Sequence, residues 1–99
     1  MSVAGAEQAA LAPDARGGLI EIVAAARRAV AVMTDLPVDQ IVSCEADGDT
    51  WQVILDVVEA PARIGDNDLL ATYELALGPR GELQRIARLG RYHREDPAS

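Results

Sequence analysis

Between Gln40 and Tyr92 apolar residues recur at the two-residue strand period in four stretches, separated by Asp47-Gly48, by 61–67 and by 78–81. Successive side chains of a strand point to opposite faces, so such alternation describes strands with one buried face. Connections this short cannot carry a parallel crossover. The chain is thereby restricted to an antiparallel meander, with strands expected near 40–46, 51–59, 68–77 and 82–92.

The turns set the expected registers. Asp47-Gly48 is the dipeptide a two-residue type I′ hairpin favours, which would pair Ala46 with Asp49, Cys44 with Trp51 and Val42 with Val53. Leu55 and Val57 complete that apolar face, and Leu69, Ala71, Tyr73, Leu75 and Leu77 form the matching face of the third strand. Gly78-Pro79-Arg80-Gly81 suits a type I turn with Gly81 in the left-handed region. A bulged hairpin of that kind pairs Leu77 with Leu83, Tyr73 with Ala87 and Ala71 with Leu89, matching apolar residues to one another.

Ahead of the strands lies one helical period. At 100° per residue Leu19, Ile22, Val23, Ala26, Val30 and Met33 share a face, while Glu21 and Arg28 fall opposite. Asp35 and Pro37 mark its end, because a residue preceding proline is pushed out of helical geometry. The predicted helix spans 19–34. The fold class is therefore α+β, one N-terminal amphipathic helix packed on a four-stranded antiparallel sheet, covering the face that bears Trp51, Val53, Leu55, Tyr73 and Leu75. Residues 1–16 read as a disordered leader, 17–94 as a single domain and 95–99 as a tail. At 99 residues only one core is expected, built from aliphatic side chains, because the chain has no Phe, one Trp and two Tyr. Trp51, Tyr73 and Gly81 are the structural residues of that core and its turn, with Trp51 largely buried.

Composition narrows the function. The net charge of −7 and the shortage of aromatic stacking faces argue against nucleic acid. Cys44 is the sole cysteine and His93 the sole histidine, far apart, so neither a disulfide nor a zinc site is expected, and no cofactor is implied. No window approaches the ~18 uninterrupted apolar residues of a membrane helix, since 19–33 is interrupted by Glu21, Arg27 and Arg28. A cytoplasmic protein without a membrane partner is expected. A general acid–base pair would need Asp56, Glu59, Asp66 and Asp68 to gather in a pocket, and the expectation is instead an exposed acidic loop.

Charge is unevenly spread. Residues 80–94 carry Arg80, Arg85, Arg88, Arg91 and Arg94 against Glu82 alone, a local +4, while residues 1–79 sum to −9. Arginine at such density suits a protein contact, since its planar fork binds carboxylates bidentately. The candidate partner-binding residues are Arg85, Arg88, Arg91, Tyr92 and Arg94. Internal compensation is the competing reading, with Arg88 crossing to Glu74. Uninterrupted alternation would put Arg85 and Arg91 on one face and Arg88 and Arg94 on the other. The open edges of a meander also allow a homodimer.

The order and spacing of Trp51, Val53, Val57-Val58-Glu59, Arg63-Ile64, Asp66, Asp68, Tyr73-Glu74, Gly81-Glu82-Leu83 and Arg88-x-x-Arg91-Tyr92-x-Arg94 resembles the gas vesicle protein O (GvpO) family. Gly65 departs from the proline usual there, and Ile86 from the common aromatic. The resemblance implies a non-enzymatic accessory role in forming gas vesicles, through contacts with other gas vesicle proteins and in association with the vesicles. The alternative, from the fold alone, is a small-molecule-binding or enzymatic domain using the open sheet face as a pocket.

Overall fold

Helix α1 (Leu19–Thr34) leads into four strands, β1 (Val38–Asp47), β2 (Thr50–Ala60), β3 (Leu69–Leu77) and β4 (Leu83–His93). They form one antiparallel sheet in the order β1-β2-β3-β4. The computed structural model describes residues 18–96, and the leader expected over 1–16 lies outside them.

The helix begins where Glu21 Oε1 accepts the Gly18 backbone N–H at 2.8 Å. It ends at Asp35, which adopts the left-handed conformation (φ 57°) and donates its N–H to the Ala31 carbonyl. Its buried side differs from the expected stripe. Ile22, Ala25, Ala26 and Val30 are buried, whereas Leu19 and Met33 at the two ends stand more than half exposed. Ala25 packs closely on the turn before β4: a Cβ on Gly81 would lie 2.9 Å from the Ala25 Cβ.

The core lies between α1 and one face of the sheet, where Val53, Leu55, Val57, Ala71, Leu75 and Leu77 are buried with the helix residues. Burying each of the larger aliphatic side chains contributes about 1.5–3 kcal/mol. Trp51 and Tyr73 pack against this core and are each only partly exposed, Trp51 at the sheet end opposite Leu77. The helix packs mainly on β1, β2 and β3. That leaves β4 as an edge strand outside most of its cover.

The registers depart from simple alternation. The first hairpin turns at Gly48-Asp49, with Asp47 opposite Thr50, so Cys44 faces Val53 and Ala46 faces Trp51 instead of the expected pairs. The Thr50 hydroxyl closes that turn by donating to the Asp47 carbonyl. The last hairpin has the expected Gly81 geometry (φ 87°) and pairs Leu77 with Leu83. Two extra residues in β4, Gln84 and Leu89, then shift the pairing, so that Tyr73 faces Arg88 and Ala71 faces Arg91 instead of Ala87 and Leu89. β-Bulges are common on edge strands, where they turn the exposed edge away from unwanted pairing.

Candidate functional site

The bulges decide where the five candidate side chains go. Leu89 is passed over between the Tyr73–Arg88 and Thr72–Gly90 pairs, so Arg88 and Arg91 share the helix side of the sheet. Arg85, opposite Ala76, and Tyr92, opposite Leu70, lie on the outer side, and Arg94 follows just beyond the strand end. The division expected from uninterrupted alternation is thus replaced by Arg88 with Arg91, and Arg85 with Tyr92 and Arg94.

On the helix side, Arg88 and Arg91 both approach Glu59, at 3.6 and 3.5 Å. Arg88 does not cross to Glu74; that carboxylate instead accepts from the Gln52 side chain. Glu59 reaches the arginines because β2 has its own irregularity, the chain stepping from Val58 opposite Leu70 to Ala60 opposite Leu69. Two guanidinium groups sharing one carboxylate leave a local charge of +1. Their side chains are 47% and 51% exposed, so donors remain for a further acceptor.

The outer side is built around Asp56, and the exposed acidic loop expected for it is corrected: it lies within β2 under donors from the three other strands. Asp56 is 2% exposed although it alternates with core residues and faces away from the helix. Its Oδ1 accepts from the Thr72 hydroxyl at 2.6 Å, and its Oδ2 from the Tyr92 hydroxyl at 2.6 Å and the Gln40 amide at 3.2 Å. These donors sit on β3, β4 and β1, so one carboxylate ties all four strands. The hydrogen bond to Asp56, with burial and the carboxylate's charge behind it, pushes the Tyr92 pKa up to about 12. A lone acid inside Val53-Ile54-Leu55-Asp56-Val57-Val58 was the available signal; the donors are visible only once the strands are paired.

Arg94 completes the end of the sheet. It bonds both oxygens of Asp39, at 2.9 and 3.3 Å, and Asp68 Oδ2 at 3.1 and 3.3 Å. Both aspartates raise its pKa. The Asp68 pKa is lowered, first by the Ala62 N–H on its other oxygen (2.7 Å) and then by Arg94. Asp39 lies on β1 and Arg94 just after β4, so the ion pair spans the sheet from one edge to the other.

The four acids considered for acid–base chemistry are dispersed. Asp56 is locked in its network, Glu59 between arginines, Asp68 on Arg94, and Asp66 is exposed. Among the described residues no group of three or more His, Cys, Asp or Glu is placed to hold a metal ion. Cys44 is half-buried on the helix side, and burial raises its thiol pKa. None of the described helices is long and apolar enough to cross a membrane.

Comparison with known proteins agrees with the sequence resemblance. The profile of the family described as Gas vesicle synthesis protein GvpO matches residues 6–97. This chain belongs to the gas vesicle protein O family. It is 31% identical over 85 residues to Gas vesicle protein O of Haloferax mediterranei, a match covering 85% of this chain and 61% of that protein. The chain therefore spans about three-fifths of the length of that relative. No solved structure matches the chain. The GvpO match takes in all of α1 and the sheet, including β4 and Arg94, so every candidate residue lies inside it.

Proposed function

We propose that this GvpO family member is a non-enzymatic, cytoplasmic accessory protein of gas vesicle formation, acting at the vesicles by binding another gas vesicle protein. Family membership supports the setting. The observation that carries the contact surface is the Arg88–Arg91 pair, half-exposed and sharing the single carboxylate of Glu59 on an edge strand. A partner's carboxylate placed there would complete the second guanidinium, a charge-assisted bond stronger than a neutral one. Tyr92 and Arg94 serve this surface indirectly: their bonds to Asp56, Asp39 and Asp68 hold the end of β4 in place.

The test is co-purification with the other gas vesicle proteins, together with vesicle formation in cells, using Arg88→Glu/Arg91→Glu. Loss of both is expected in a variant whose circular-dichroism spectrum keeps the native fold, with a modestly lower melting temperature because Glu59 then faces two carboxylates. The control is Arg63→Glu, an exposed loop arginine without an ion pair among the described residues. Normal capture and normal vesicles in the double variant would overturn the surface.

A further inference from the structure

Glu45, Gln52, Ala76 and Arg85 stand in one row across the sheet, each opposite the next in the register. The row lies on the outer side, and its ends are the two edges, with an acid on β1 and a base on β4. Both end residues are exposed, and neither makes an ion pair among the described residues. Three antiparallel steps separate β1 from β4, so β4 runs opposite to β1. A second copy displaced sideways would continue the antiparallel order.

We propose that copies of this chain associate edge to edge, β4 of one against β1 of the next, with Arg85 facing Glu45 of the second copy. Directly opposed residues of an antiparallel pair have Cβ atoms about 4.5–5.5 Å apart, close enough for the two charges to pair. The neighbouring rows agree. Cys44 and Ile86 end the adjacent row on the helix side, and Ser43 and Ala87 the next on the outer side, so each junction meets without a clash of charge.

The bulges fix where this can happen. β1 is regular from Ser43 to Asp47 and irregular before it, while β4 is regular from Arg85 to Arg88 between its two bulges. The stretches regular on both edges coincide at the three rows centred on Glu45–Arg85, Cys44–Ile86 and Ser43–Ala87. A contact of that length is weak and salt-sensitive. The symmetric alternatives are disfavoured, because β4 against β4 opposes arginines and β1 against β1 gathers Asp39, Glu45 and Asp47. A head-to-tail contact of this kind leaves one β1 edge and one β4 edge unpaired on every dimer, so assembly continues beyond two copies, into a ring or an open filament according to the rotation between them. The surface is distinct from the Arg88–Arg91 pair, which faces the helix side.

Sedimentation velocity of the full chain, at rising concentration up to about 1 mM and at low and high salt, tests the proposal. Average mass should climb past that of a dimer at low salt and fall back at high salt. Arg85→Glu and Glu45→Arg should each raise the concentration needed about tenfold or more, and the double exchange in one chain should restore it. Circular dichroism checks the fold of each variant. Arg85→Ala and Glu45→Ala replace any reversal that loses the native spectrum, and they should weaken assembly in the same direction. A wild type that stays monomeric throughout, an assembly that stops at the dimer, single variants that associate like wild type, or a double exchange that fails to recover would each overturn it.

Discussion

The hydroxyl of Tyr92, on the last strand, donates a 2.6 Å hydrogen bond to the carboxylate of Asp56 on the second. To do so its side chain spans β3 beside Leu70, the residue opposite it in the register, which is 1% exposed. One tyrosine thus covers an outward leucine and supplies a donor to a buried carboxylate. A buried charge left short of donors is costly.

Tyr92→Phe keeps the ring and removes the donor. It should destabilise the protein by about 1.5–3 kcal/mol, the range for a hydrogen bond to a charged group. Urea denaturation of wild type and variant measures it, and a loss below a few tenths would show that Asp56 does not depend on this bond.

The same bond makes a prediction at high pH. Tyr92 has a folded pKa raised to about 12 against an unfolded value near ~10. Its stabilising contribution is therefore fully present below pH ~10 and is lost as pH rises through about 12. Absorbance titration should show a late-ionising tyrosine in wild type that is absent from Tyr92→Phe.

Acid acts through Asp68, whose pKa is lowered by the Ala62 N–H and by Arg94. Its contribution is present above the unfolded value near ~3.9 and is lost as pH falls through the depressed folded value. Asp68→Asn keeps an acceptor for Ala62 but removes the charge facing Arg94. Its unfolding free energy should fall less steeply with acid than that of wild type, as read from denaturation curves between pH ~5 and ~2.

Gly81→Ala combines two penalties, a left-handed φ of 87° and a Cβ 2.9 Å from that of Ala25. A cost of about 2–3 kcal/mol is expected. Gly48→Ala, with φ 63° and nothing within 4 Å of the added Cβ, isolates the backbone penalty and should cost about 1 kcal/mol. Equal losses in thermal and urea melts would show that the turn, not the helix, yields at Gly81.

Trp51→Ala should cost about 2–3 kcal/mol, below the ~3–5 kcal/mol of a fully enclosed aromatic, because the side chain packs at the sheet end and keeps some exposed surface. Chemical denaturation distinguishes the two ranges.

The period of the apolar residues determined the helix at 19–34, the four strands and their antiparallel order, because burial of one face leaves few arrangements for a chain this short. The composition of the turn Gly78-Pro79-Arg80-Gly81 likewise determined the left-handed Gly81, since only a residue tolerant of positive φ suits that position. What tertiary structure alone decided is how the side chains of β4 divide between the faces. A bulge inverts every later side chain, and the extra residues Gln84 and Leu89 carry no turn signature. They move Arg88 and Arg91 together onto Glu59, and they leave Arg85 at the end of a row that begins with Glu45. The buried state of Asp56 was hidden for the same reason: its donors come from Gln40, Thr72 and Tyr92, at sequence distances that only strand pairing brings together.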